Sequence, residues 1–524
     1  MPIAIAGELN KTALIVPDVY VEIVPPQVAL LNGVPTDILG QVGVATWGPK
    51  DSPVTGATMT DFTLAFGPLA NVDHDLGSAA AQAVQQGAQN FRWVRVTDGT
   101  DTAAVIALTD TGGEEQGSFT SKWTGSFGNQ TEVTIGAGSN SKAGAITYRI
   151  VVSLPGREAE IFDNIGIAAG EAIETHLWAR IASAINEGQN ALRGPSQLVV
   201  YTAPTTNIAV NGPAAGSYGL ATGVDGNSGV TDTELLGVEA DRTGLWALAD
   251  QRCSNAMIAD NHAEGTWASV VDFGRRNGCY MHVAFDSMTG LGDTIADQVS
   301  RKKEGGWDTT VLKVGLGDHV LWFDSTTGKT RTVSPQSFFA GRLANLGPEQ
   351  SSLNKPMYGI VGTERSAASR KYSHAEIQQI AEVGIDAIVN PVPGGNYFGA
   401  RVGHNSSTNP TTNGDNYTRL TNYIAATLEA GMGIYIGRLH LPRVQRAAKA
   451  TVEAFLTAMV GQEQIEDFGV IANDDNNPPD RKALGYLQLD VTVRYLAVIE
   501  KMIINVEGGQ SVTIQRVDTQ PIAA

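Results

Sequence analysis

Only two of the 524 residues are cysteine, at positions 253 and 279, so no disulfide framework holds this chain together. It lacks an excess of basic residues as well: 36 Lys and Arg stand against 54 Asp and Glu, a formal charge of −18. A general nucleic-acid binder needs basic surface to neutralise phosphates, so that class is disfavoured and direct nucleic-acid contact is not expected. No apolar run approaches the roughly 18 residues that a membrane helix needs, and residues 1–10 have no charged-then-apolar leader. Membrane insertion is not expected. With 42% hydrophobic and 17% charged residues, the chain reads as folded, with length for three or four domains and large cores.

Recognised chemistry is also scarce. The eight histidines are scattered, with no His-Glu-x-x-His and no pair at ligand spacing, so no metal site is assigned. Residues 325–330 (Ser-Thr-Thr-Gly-Lys-Thr) resemble the end of a phosphate-binding loop, but Phe323 stands where that loop needs glycine. The flanking apolar runs predict a hairpin turn instead. The Asn473–Asp480 cluster lacks the central glycine and distal glutamate of a calcium loop and reads as an Asx-rich turn. No nucleophile elbow is present, and no Ser, His and Asp set stands out. No catalytic residue and no cofactor are assigned.

The C-terminal region from Gly431 to Val506 is the most strongly patterned. After Pro442, which suits a first helical position, Val444, Ala447, Ala448, Val452, Phe455, Leu456 and Met459 recur at helical spacing towards Gly461. Leu487, Leu489, Val491, Val493 and Tyr495 then alternate with polar residues. The phase slips near Leu496 and the pattern continues through Val498, Met502, Ile504 and Val506. A strand over 487–506 is several times the usual length of about five or six residues, which implies that one end pairs outside its own sheet. Near the other terminus, Val19, Val21 and Ile23 alternate with Tyr20 and Glu22 between Pro17 and Pro25–Pro26, a short strand with no hairpin partner nearby. Two readings stand for it: an edge strand of its own domain, or strand addition to another subunit through main-chain hydrogen bonds.

Upstream, a strand over Gln41–Trp47, helices over Asp61–Phe66 and Ala79–Ala88 and a strand over Phe91–Val96 precede a Gly-, Thr-, Ser- and Asn-rich stretch of short alternating runs, with one helix through Ile173, Leu177, Ile181 and Ile185. That stretch, 101–240, reads as an inserted, mainly β domain. From Leu245, apolar runs at Ala256–Ala259, Val283–Phe285, Val311–Val314, Tyr358–Val361 and Ile385–Val389 alternate with helical stretches at Thr266–Arg276, Asp293–Lys303 and His374–Val383. This is the pattern of a parallel sheet with helices on its faces. Cys253 and Cys279 each precede an aspartate by seven residues in two such runs, so in-register parallel strands would set the thiols side by side. Buried reduced thiols are the favoured reading and a disulfide the alternative.

One charged constellation rises above background. Between 438 and 453, Arg438, Arg443, Arg446 and Lys449 face Glu453 alone. They form either a solvated helix face or a docking surface for an acidic partner, with charge complementarity setting register.

In order and spacing, several fragments resemble the sheath proteins of contractile phage tails and related contractile injection systems. Val19–Ile23 followed by prolines is similar to the family's N-terminal strand. Gly48-Pro49, Asp61-Phe62 through Phe66-Gly67, Asp75-Leu76-Gly77 and Arg92–Val96 resemble its next turn, helices and strand. Trp123–Asn129 and Glu160–Phe162 resemble its variable domain. Val333-Ser334-Pro335 through Ala340-Gly341, then Gly384–Ile388 and Gly399–Arg401, follow as in its core. Two departures stand out: Val498-Ile499-Glu500 where many members carry Pro-Ala-Glu, and a longer segment at 508–524.

The resemblance implies a multidomain α/β fold: a parallel-sheet, subtilisin-like core (31–100 and 241–414), the inserted domain (101–240), an α+β C-terminal domain (415–507) and arms at 1–30 and 508–524. It implies a structural subunit that stacks in hexameric rings around a tail tube, with baseplate and tail terminator proteins as further partners. Such a subunit is assembled in the bacterial cytoplasm, works in the virion tail, and contracts to drive the tube into a target cell. On this reading Val19, Tyr20, Val21, Glu22 and Ile23 pair with Met502, Ile503, Ile504, Asn505 and Val506 between subunits, while Arg443, Arg446 and Lys449 meet the tube. The rival readings are an α/β hydrolase-like enzyme and a monomeric surface-binding module.

Overall fold

The computed structural model describes residues 4–5, 21–22, 31–142, 145–168 and 170–506. Its centre is a parallel sheet of six strands: β1 (Ile38–Gly43), β2 (Asn90–Arg95), β3 (Asn255–Ile258), β4 (Tyr280–Ala284), β5 (Leu312–Gly315) and β6 (Ile385–Asp386). Across the sheet the order is β6-β5-β4-β3-β1-β2, closed at one edge by the antiparallel segment Val54–Gly56. The chain therefore winds outward from β1 in both directions, so its switch point lies between β1 and β3.

Both faces of the sheet are covered, which explains why its strands read as apolar runs rather than clean alternations. On one face Leu39, Phe91, Trp93 and Met257 meet helices α1 (Met59–Phe66) and α2 (Leu76–Gln85). On the other, Val42, Val94, Ala256, Ile258 and Met281 meet α3 (Trp267–Asn277) and α4 (Ile295–Glu304). Helix α5 (Gln336–Ala344) packs beside α2 on the first face. A Cβ on Gly341 would lie 2.6 Å from the Ala83 Cα. The alanines of α2 are thus there to allow two helix backbones to approach closely.

Strands β3 and β4 align Asn255 with Tyr280. That register sets Cys279 opposite Ser254 and leaves Cys253 one residue out of step. Both thiols are buried and unbonded. Burial raises both thiol pKa values, that of Cys253 to about 12, and proximity to Cys253 further disfavours the Cys279 thiolate.

Two sequence expectations for the core are corrected. The run near Tyr358–Val361 forms Ile360–Thr363, which pairs antiparallel with Val320–Asp324 rather than joining the parallel sheet. Its partner in turn makes the expected hairpin with Lys329–Val333, and Asp324 ties down the turn by accepting from the Thr326 amide at 2.9 Å. The run Ile385–Val389 splits, because Ile388–Val389 leaves the sheet to pair with Gly399–Ala400.

The stretch between β2 and β3 is antiparallel. Ala103–Thr109, Glu115–Thr124 and Val199–Thr202 form one sheet; Glu132–Ala137, Thr147–Ser153, Glu160–Gly166 and Gly216–Gly219 form another. With helix Ile173–Asn186 they enclose a separate core around Phe119, Phe162, Trp178 and Ile181. Its ends are stitched to the parallel sheet by the buried Arg95 of β2. That guanidinium donates to the carbonyls of Gly48 (2.8 Å), Thr124 (2.9 Å) and Asp225 (2.8 Å). At the same seam Gly125 has φ +130°, and a Cβ there would sit 2.1 Å from the Thr46 carbonyl, so only glycine fits.

Candidate assembly interface

The C-terminal region folds as two helices and a hairpin: α6 (Asp415–Met432), α7 (Pro442–Gly461), β7 (Ile465–Ile471) and β8 (Asp490–Tyr495). The α7 stripe predicted from spacing is buried at Ala448, Val452, Phe455, Leu456 and Met459, against Leu420 and Ile424 of α6 and Ile465 and Val470 of β7. Each of the larger side chains contributes about 1.5–3 kcal/mol by leaving water. The Asn473–Asp480 loop is held by its own Asx contacts, with the Asn473 side chain accepting from the amides of Asp475 and Asn476.

This unit is fixed to the parallel sheet by a buried ion cluster. Lys313 of β5 donates to Asp386 of β6 at 2.8 Å and to Asp415, the first residue of α6, at 3.1 Å. Asp415 also accepts from Tyr280 of β4 at 2.6 Å and from the Ser352 hydroxyl. Burial pushes the Asp415 carboxyl up, but the Lys313 ammonium and these hydroxyl donors outweigh it and hold its pKa at about 2. Burial likewise opposes the charge on Lys313, and the two carboxylates reverse that and raise its pKa. Lys313 also donates to the His404 carbonyl at 3.1 Å, and the His404 ring meets Glu500 at 2.8 Å. A continuous polar path thus runs from the sheet to the segment after β8. Glu500 is the one residue of the expected Pro-Ala-Glu step that this chain keeps.

That segment departs from the sequence reading. The ladder with β7 ends at Tyr495, so the expected strand over 487–506 is regular only across 490–495. Beyond it, 496–506 carries no regular structure and is held by Glu500 and by the Leu496 carbonyl, which accepts from Asn416 at 3.5 Å. Met502, Ile503, Ile504, Asn505 and Val506 are all exposed, with Ile503 and Val506 at 86%. The reason is physical: among the described residues β8 has one neighbour in its sheet, and past Tyr495 none. At the other terminus, Val21–Glu22 pairs in parallel with Ala4–Ile5 of the same chain. Val19, Tyr20 and Ile23 lie outside the described residues.

The basic constellation separates into two kinds. Arg443 and Arg446 are exposed and have no carboxylate partner among the described residues. Lys449 is half-buried and pairs with Glu453 one turn on, at 3.5 Å. Beside the arginines lies a feature that sequence periodicity does not show. The α6–α7 loop exposes Ile434, Ile436 and Leu439; the loop before β8 exposes Leu484 and Tyr486. The His440 ring meets the Tyr486 carbonyl at 3.1 Å, which joins the two loops. A cluster of exposed apolar residues rimmed by cations is the composition of a contact surface rather than of free protein surface. Its only sequence signal is the placement of apolar residues in a glycine-rich loop without a period.

No protein-family model matches the sequence, and no curated protein matches it. Solved structures do. A sheath tail protein from Desulfitobacterium hafniense superposes with a TM-score of 0.53 at 14% identity over 87% of this chain and 94% of that one. A sheath tail protein from Listeria innocua gives a TM-score of 0.57 at 12% identity over 89% and 96%. The chain therefore has the fold of tail sheath proteins. The likeness extends to the sheath of the extracellular contractile injection system PVC in its contracted state, with a TM-score of 0.53 at 10% identity over 95% of this chain and 99% of that one. Among the described residues, no helix is long and apolar enough to cross a membrane.

Proposed function

We propose that this chain is a structural, non-enzymatic subunit of a contractile sheath, which polymerises as stacked rings around an inner tube and shortens to drive that tube through a target envelope. The observation that carries the reading is the segment after Tyr495, an exposed apolar stretch that pairs with no strand among the described residues. A strand-forming segment of this kind adds to the sheet of a neighbouring copy, where main-chain hydrogen bonds supply affinity and survive large rotations of the bodies they join. The Lys313 cluster and the Glu500 contact anchor its root.

In this reading Met502–Val506 of one subunit pairs with the Val19–Ile23 region of another. Arg443 and Arg446, with Lys449 at their margin, face an acidic tube protein across the apolar loop cluster. Baseplate and terminator proteins bound the two ends of the polymer, which forms in the host cytoplasm and works in the tail. The parallel sheet serves as a subtilisin-like rigid body, 101–240 as a peripheral domain and 415–507 as the inner domain. Deletion of residues 1–24 tests the arm directly. The expected outcome is a folded monomer that forms no tubes by electron microscopy; tubes of normal appearance would reject strand exchange.

A further inference from the structure

The histidines scattered through the sequence are not all scattered in space. His262, which follows β3, and His319, which follows β5, lie with ring centroids 5.0 Å apart and their planes inclined by 35°. Asp286, which follows β4, joins them. One ligand atom from each of the three lies within 4.8 Å of the other two. Three neighbouring parallel strands thus each deliver one side chain to the same point beyond their C-terminal ends, the end of an open α/β sheet where ligands collect. Linear spacing in the sequence, where no two histidines stand at ligand distance, does not show this meeting.

We propose that His262, Asp286 and His319 form a binding site for a single divalent transition-metal ion of the zinc class.

The donor set is two imidazoles and one carboxylate. Nitrogen donors disfavour calcium and magnesium, which take oxygen ligands, and suit zinc and its first-row neighbours. The outer contacts fit the same chemistry. His262 Nδ1 meets the Ala284 carbonyl at 3.1 Å, and His319 Nε2 meets the Phe285 carbonyl at 3.4 Å. Each ring thus spends one N–H on a backbone carbonyl, which fixes its tautomer and leaves the other nitrogen with its lone pair, as metal-ligating histidines commonly do. Those two carbonyls are consecutive and immediately precede Asp286, so one short turn after β4 orients all three ligands.

Metal–ligand distances of about 2.0–2.1 Å place tetrahedral ligands about 3.3 Å apart. Closing from at most 4.8 Å asks roughly 1.5 Å of two side chains between them, within the reach of rotamer adjustment. The ion would clamp the C-terminal ends of β3, β4 and β5 to one another, with its remaining position open to water.

The test is a Co²⁺ titration of the untagged full-length protein, followed by visible ligand-field absorption and competed with Zn²⁺. His262→Gln and Asp286→Asn are titrated in parallel, and far-UV circular dichroism of each variant without metal confirms folding. The expected result is saturation at one ion per chain, displacement by Zn²⁺ but not by Mg²⁺ or Ca²⁺, a higher unfolding temperature with Zn²⁺, and affinity lowered at least about tenfold in both variants. Absence of saturable binding, displacement by Mg²⁺ or Ca²⁺ as readily as by Zn²⁺, or undiminished affinity in either folded variant would overturn the site.

Discussion

Replacing Lys313 with methionine removes the charge that the cluster beneath α6 is built around while keeping most of the side-chain volume. The consequences for the two carboxylates differ. Asp386 keeps backbone donors, accepting from Ala387, Val402 and Gly403 at 2.9 Å each. Asp415 keeps the Tyr280 and Ser352 hydroxyls and a long contact from the Ser352 amide at 3.4 Å, in full burial. Stranding one partner of a buried ion pair costs about 3–5 kcal/mol, and Asp415 has no solvent to absorb it.

The damage should be local to α6 and the hairpin it supports. No tryptophan lies beyond Trp322, so fluorescence would miss it. Hydrogen exchange by mass spectrometry over 415–432 is the appropriate assay. Lys313→Met should lose protection there by about 3–5 kcal/mol at neutral pH, and less in acid, where Asp415 takes up a proton. Asp415→Asn in the same chain should recover part of the loss, leaving a coupling of about 1–3 kcal/mol between the two positions. A change below about 1 kcal/mol, or strict additivity of the two substitutions, would refute the claim that this cluster fixes the C-terminal unit.

Other outcomes follow from the same contacts. Burial, and next the Lys313 charge, hold the His282 pKa at about 3. The unfolded chain takes up a proton below about pH 6.5 and the folded chain does not, so this residue's contribution is whole above that pH and is lost as the pH falls towards 3. It should cost about 2 kcal/mol by pH 5, and His282→Asn should flatten the pH dependence of the urea midpoint by that amount. Gly125→Ala, at positive φ against the Thr46 carbonyl, should destabilise the seam between the antiparallel region and the parallel sheet by more than about 1 kcal/mol, read by limited proteolysis at 97–103 and 224–230. Arg443→Glu with Arg446→Glu should weaken sheath–tube co-assembly in a salt-dependent way, measured by co-sedimentation; an unchanged yield at low salt would return both residues to plain solvent exposure.

Much of the fold was legible because its signals are local. The helical stretch from His374, the α7 stripe and the strands at 255–258, 280–284 and 312–315 with the helices between them each depend on residues a few positions apart, and each lies close to where spacing placed it. The long strand failed for the opposite reason. Alternation reports that a segment suits a sheet, not that a neighbour is present, and past Tyr495 no strand among the described residues pairs with it. The Lys313 cluster, the apolar loop pair at 434–439 and 484–486, and the meeting of His262 with His319 were illegible because each joins residues from distant elements. The thiol register was one residue out because Asp260 and Asp286 are loop residues, and equal spacing to them does not measure alignment within the strands.

The measurement that bears most directly on the central claim is negative-stain electron microscopy of the full-length chain beside a chain truncated after Tyr495, at matched concentration. Helical tubes from the first and folded, dispersed monomers from the second are the predicted pair of results. Tubes of equal length and order from both would contradict it, because the exposed apolar segment would then have no part in joining one copy to the next.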